Sequence, residues 1–169
     1  MSTTPPEGWS TVAKRTRAAA RQNELRYLIL AAQREGNRML ASALRELDLT
    51  PAQAEVLDVL SGREPVTLAT LGRLLVCEAG SPSRLVDTLV RRGLLTREPA
   101  GDDRRTVLIS LTTQGKAVAG QFGAAASPVT AVIAERLRPE EIDTLIALLH
   151  QLMRDTSGGD AIRQRFAPH

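Results

Sequence analysis

Between about Thr16 and Leu47 the apolar positions fall at Leu25, Leu28, Ile29, Ala32, Met39, Leu40, Ala43, Leu44 and Leu47. Spacings of three and four place them on one face of a single long helix, with Arg, Gln and Glu on the other. At roughly 1.5 Å per residue such a helix is well over 40 Å long, more than one small domain needs for its own core. Part of its stripe is therefore expected to meet something else.

The next elements announce themselves by their caps. Thr50, with Pro51 at the first helical position and Gln53 placed to reach back, opens a second helix that buries Val56, Leu57 and Leu60 and ends at Ser61-Gly62. After Pro65, Thr67 can cap a short third helix carrying Leu68, Leu71, Leu74 and Leu75. Ser81-Pro82-Ser83-Arg84 starts a fourth by the same logic, which stops at Gly93. Leu85, Val86 and Leu89 face inward in it. Ser83, Arg84, Asp87, Thr88 and Arg91 face out, a set of short polar groups and guanidinium rather than the Glu/Lys mixture of an idle helix.

Two strands follow, Leu94 to Glu98 and Thr106 to Leu111, the second alternating Val107, Ile109 and Leu111 against Thr106, Leu108 and Ser110. Their connection, residues 99–105, is longer than the usual two to five residues of a hairpin loop. Thr112 or Thr113 then caps an alanine-rich helix to about Leu137, expected to bend near Ser127-Pro128. Pro139-Glu140-Glu141 opens a last helix with Ile142, Leu145, Leu148, Leu149 and Leu152 at helical spacing. The predicted fold is mainly α: six helices plus a two-stranded β-hairpin, in the order of a winged helix-turn-helix. Its segments are a flexible basic arm over 1–15, an N-terminal helix over 16–47, the winged lobe over 48–112, C-terminal helices over 113–155 and a tail over 156–169. The arm combines Pro, Gly, Ser and Thr without a period and continues into Lys14, Arg15, Arg17 and Arg21. It reads either as an arm that brushes phosphates or as the solvated start of the first helix.

Composition narrows the chemistry. With 169 residues, 43% hydrophobic and 24% charged, the chain suits one soluble globular domain with extensions. No apolar run nears the roughly 18 residues of a membrane span and no secretory h-region opens the chain, so a cytoplasmic protein without a membrane partner is expected. One cysteine makes no intrachain disulfide, and with His150 and His169 it falls short of zinc-ligand spacing, so no metal or cofactor is expected. Four aromatics (Trp9, Tyr27, Phe122, Phe166) are too few for the stacking platforms of single-strand binders, so a nucleic-acid partner should be duplex. The stretch from Arg84 to Lys116 holds seven basic and four acidic residues, an excess equal to the +3 of the whole chain. An enzyme reading lacks support: there is no Gly-rich phosphate loop, no Gly-x-Ser-x-Gly elbow and no histidine before the last twenty residues. Glu140, Glu141 and Asp143 are explained by the dipole of a first helical turn.

A winged helix-turn-helix suits duplex DNA because the major groove, roughly 12 Å wide, admits one helix. Ser81, Ser83 and Arg84 stand at the start of the presumptive groove helix, where Arg84 can donate two hydrogen bonds to guanine. Arg104 and Arg105 at the hairpin tip can enter the minor groove; alternatively, they neutralise Asp102 and Asp103 in an exposed loop.

Residues 93–116, GLLTREPAGDDRRTVLISLTTQGK, resemble the wing signature of the MarR family of transcriptional regulators: Asp103-Arg104-Arg105, then Leu111-Thr112, then Gly115. Ser83-Arg84-Leu85-Val86-Asp87, Leu89 and the Arg92-Gly93-Leu94 turn are similar to the recognition helix of that family. The resemblance runs from Leu25 to Met153. It implies a homodimer held by the first and last helices, binding of near-palindromic double-stranded DNA, and release by a small-molecule effector or an oxidant. It assigns Arg105 to the minor groove and Asp103 to bracing the wing. The full expected DNA-contacting set is Ser81, Ser83, Arg84, Thr88, Arg91, Arg104 and Arg105, in a repressor. Two other readings stand beside it: a protein-interaction module on a winged scaffold, and a redox sensor through Cys77, which as a residue reads equally as a buried small hydrophobe. Tyr27 and Arg34 on the long helix read as interface packing and a solvated charge, with a ligand pocket as the alternative.

Overall fold

The computed structural model describes residues 7–76, 81–100 and 103–167, with side chains described for 16–76, 81–100, 106–123 and 128–167. The chain forms two compact units, Met1–Arg38 and Met39–His169.

The first unit is the larger part of helix α1 (Glu7–Ala43). Its described side chains from Thr16 to Glu35 are all exposed, and Leu28, the most open of its large apolar residues, is 60% exposed. Arg26 stacks 4.1 Å from the centre of the Tyr27 ring. The helical start at Glu7 corrects the expectation of a flexible arm over 1–15. Glu7 is an acidic residue at the helix start, where the dipole favours one, and no proline interrupts the chain from there to Ala43.

In the second unit α1 ends at Ala43, short of the expected Leu47, and a single 3-10 turn at Arg45–Leu47 follows. Asp48, at φ 50°, turns the chain there. Then come α2 (Pro51–Arg63), β1 (Val66–Thr67), α3 (Leu68–Leu74), α4 (Pro82–Arg91), β2 (Leu95–Ala100), β3 (Asp103–Leu111), α5 (Thr113–Arg136), α6 (Pro139–Leu152) and α7 (Ser157–Arg165). The sheet is antiparallel in the order β1-β3-β2. The caps are those the sequence indicates: Gln53 N donates to Thr50 Oγ1 at 3.3 Å while Thr50 N donates to Gln53 Oε1 at 3.0 Å, and Thr70 N donates to Thr67 Oγ1 at 3.1 Å. The core gathers Leu44, Leu57, Leu60, Leu71, Leu89, Leu95 and Ile109, all fully buried, each contributing about 1.5–3 kcal/mol of transfer free energy.

The mainly helical winged architecture is as expected, with four differences. The hairpin is longer, because β2 reaches Ala100 and β3 starts at Asp103, so the expected seven-residue loop closes into strand with a register irregularity at Pro99/Ala100. Pro99 and the charged residues after it have little strand preference of their own; pairing along an exposed edge imposes it. The sheet has three strands, since Val66 and Thr67 pair with Ile109 and Leu108. Two residues are too few to display an alternating pattern. The helices number seven among the described residues, because the expected tail contains α7. Glycine is a packing requirement at its start: a Cβ on Gly159 would stand 2.1 Å from the Met153 carbonyl oxygen. Finally, α5 passes through Pro128 and holds an 18-residue window of mean hydropathy 1.4, long and apolar enough by composition to cross a membrane. That hydropathy is shared between seven alanines and the larger Val118, Phe122, Val129, Val132 and Ile133.

Candidate nucleic-acid interface

Helix α4 is built to show one face. Ser81 is its N-cap in extended conformation, and its carbonyl accepts from Arg84 N at 2.9 Å and Leu85 N at 3.2 Å, while its hydroxyl makes no capping bond. Val86 and Leu89 are fully buried and anchor the helix to the core. On the opposite side Ser81, Arg84 and Arg91 are exposed, and Ser83, Asp87 and Thr88 are half-buried. The Arg84 guanidinium has no intramolecular partner among the described residues. Arg91 Nη2 reaches back to Thr88 Oγ1 at 3.2 Å. Pro82 is the first helical residue, where its fixed φ suits a helix start.

The wing is tied to that face by a pair the sequence reading did not single out. Arg97 on β2 meets Asp87 on α4 at 2.7 Å. Arg84, Asp87, Thr88, Val90, Arg91 and Arg97 line one open groove of about 560 Å³. Arg97 had counted only towards the regional charge. Its register on β2 beside the outward Asp87 becomes visible only when strand and helix are in place. The Asp87–Arg97 pair thus braces the wing against α4. The backbones of Asp103, Arg104 and Arg105 begin β3 at the hairpin tip, where Ala100 pairs with Asp103. The side chains of these three residues, and Cys77 altogether, lie outside the described residues.

The base of the wing explains the spacing of its glycines and threonine. Gly93 turns the chain at φ 71°, where a side chain would be strained. Thr112 Oγ1 donates to the Gly93 carbonyl at 2.7 Å and accepts from Gly115 N at 2.9 Å, while Thr112 N donates to the Leu94 carbonyl at 3.0 Å. This packs the first turn of α5 so close that a Cβ on Gly115 would stand 2.0 Å from the Leu94 oxygen. Glu64 closes the assembly from α2, accepting from Leu111 N at 2.6 Å and from Lys116 Nζ at 2.8 Å. Burial would raise the Glu64 pKa, but the Lys116 ammonium and the Leu111 amide outweigh it and hold the carboxyl below its ordinary value.

At the other end of α4, Arg92 donates to the carbonyls of Asp48 at 2.5 Å and Leu47 at 3.3 Å, and its guanidinium lies 3.5 Å from the Asp48 carboxylate. These bonds tie the recognition helix to the turn before α2. A second groove, of about 380 Å³, opens beside them between Arg45, Thr50, Gln53, Thr88 and Arg92.

A family model described as a winged helix DNA-binding domain matches residues 49–115. The multiple antibiotic resistance protein MarR of Escherichia coli (strain K12) is 31% identical over 127 residues, which are 75% of this chain and 88% of that protein. The organic hydroperoxide resistance transcriptional regulator of Bacillus subtilis (strain 168) is 32% identical over 94 residues, 56% of this chain and 64% of that protein. Among solved structures, a mutant MarR from E. coli complexed with operator DNA superposes with a TM-score of 0.69 at 30% identity, covering 77% of this chain and 94% of that one.

Proposed function

From the premise that this chain belongs to the MarR family of winged-helix, DNA-binding transcriptional regulators, we propose that it works as a homodimeric cytoplasmic repressor. Its two α4 helices enter successive major grooves of a pseudo-palindromic operator, roughly 34 Å apart, and the wings lie along the flanking minor grooves. Arg84 reads a base edge, Ser81, Ser83, Thr88 and Arg91 hold phosphates and sugars, and Arg104 and Arg105 occupy the minor groove. Asp87 and Arg97 keep helix and wing at a fixed separation. Repression follows from steric exclusion of other proteins from the operator.

The observation that carries this reading is the Arg84 side chain, exposed on the first turn of a helix whose opposite face is fully buried. The rigid helix fixes where the guanidinium starts from, and as a planar fork of donors it matches the guanine edge. The B. subtilis relative is by name a transcriptional regulator, and the solved E. coli relative is held on operator DNA. A small-molecule effector acts by binding the two dimer states unequally. The groove beside Arg45 and Arg92 suits that role, since Arg92 links α4 to the start of α2.

The test uses duplex fragments selected from random sequence, titrated by fluorescence anisotropy across a salt series. Log affinity should fall linearly with log salt. Arg84→Ala should cost about 1–3 kcal/mol, roughly 5- to 150-fold, at the base it reads. Arg105→Ala should lower the salt slope by about one. Unchanged affinity and slope in the double variant would defeat the reading, as would binding of a protein partner alone.

A further inference from the structure

Helix α7 packs against α3, the first helix of the helix-turn-helix. Arg165, its last residue, donates through Nη1 to Glu55 Oε1 at 2.9 Å and through Nη2 to Asp58, both on α2. Arg63, at the end of α2, caps α7 in return by donating to the carbonyls of Gln164 at 2.7 Å and Arg165 at 3.1 Å. Glu55 is the one charged residue buried among the described residues, 7% exposed. The same Oε1 that takes Arg165 also accepts from Val76 N at 2.8 Å, one residue beyond the C-cap of α3. Helix α3 in turn packs against α4, with Gly72 set opposite Pro82, the first residue of α4. Contacts thus run without a gap from α7, through Glu55 and α3, to the start of α4.

We propose that α7 is a clasp on the helix-turn-helix, in which Arg165 acts through Glu55 as a positioning residue that fixes the end of α3 and so the presentation of α4 to DNA. The physical reason lies in the burial of Glu55. A buried carboxylate keeps its place only while its partners are present, and removing one costs more than the pair contributes. Without Arg165, Glu55 loses a charged partner on the oxygen that takes Val76 N, and the end of α3 loosens. The proposal rests on the DNA-binding reading for its consequence, but not for the clasp itself.

Two measurements on the full chain test it. Amide hydrogen exchange, read by NMR without DNA, should show Val76 exchanging about tenfold faster in Arg165→Ala. Duplex affinity of that variant, on the fragments selected above, should fall about tenfold with an unchanged slope of log affinity against log salt. Arg165→Lys, which retains the charge, should recover most of both. A slope reduced by about one would make Arg165 a phosphate contact and overturn the positioning role. Unchanged Val76 exchange, or unchanged affinity, would overturn it too. Should Arg165→Ala fail to fold, Asp58→Asn carries the test, expected to act in the same direction by about threefold; no change in it refutes the clasp. The exchange measurement needs no DNA. A failed DNA reading therefore shows as absent wild-type affinity while Val76 still responds to Arg165.

Discussion

Gly115 shows how one position can hold a motif together. The Thr112 hydroxyl bridges the Gly93 carbonyl and the Gly115 amide, and the Leu94 oxygen occupies the space a Gly115 side chain would need. Gly115→Ala forces a methyl group against a backbone carbonyl that cannot swing aside. The substitution should cost about 3 kcal/mol, the upper end of the usual overpacking range. Gly120, in the same helix, has open space around it, so Gly120→Ala should change stability by less than about 1 kcal/mol in either direction. Urea titrations of both variants check this, and equal midpoints would refute the steric account. The spacing of Gly93, Thr112 and Gly115 was legible as a signature before any coordinates. Its cause was not, because the oxygen that forbids a side chain belongs to Leu94, far away in the sequence.

At the scale of elements, the wing is anchored at its base by α2 and along its length by α4. Glu64 joins the end of α2 to the last residue of β3 and the first turn of α5 through Leu111 and Lys116. Its pKa in the folded chain lies below the reference 4.5. A lowered carboxyl pKa stabilises the fold at pH values above the unfolded pKa, and that contribution disappears as pH falls through the folded one. Glu64→Gln should therefore be less stable than the parent at neutral pH, with the difference shrinking as acid is added below about pH 4.5. Thermal melts at stepped pH would reveal it, and a difference independent of pH would rule the ion pair out as its source. The elements themselves were unequally legible. Helices α2, α3 and α4 carried caps and apolar spacing that act locally. The strand β1 and the outer half of the hairpin carried neither, since pairing with β3 creates them; α7 carried a cap in Thr156 but no apolar stripe, and docking on α2 and α3 holds it in place.

For the whole molecule, the unpaired apolar surface is the dominant fact. Leu145, Ile146, Leu148, Leu149 and Leu152 on α6 are each at least 40% exposed. In the other unit, Leu25, Tyr27, Leu28 and Leu30 on α1 are comparably open. Surfaces of this kind on a single chain mark an interface, and the homodimer proposed above would cover them. Leu148→Glu with Leu152→Glu should turn a dimer into a monomer in sedimentation at micromolar concentration. It should also weaken operator binding by at least about a hundredfold, because each half-site then binds without its tethered neighbour. A monomeric parent protein would sink this expectation. By itself the sequence determined the helical order, the caps, the inward face of α4 and the apolar stripes, because each is written in residues within a few positions of one another. Only the tertiary structure decided the Asp87–Arg97 brace, the Glu64 anchor and the α7 clasp, because each joins side chains whose separation in the chain says nothing of their distance in space.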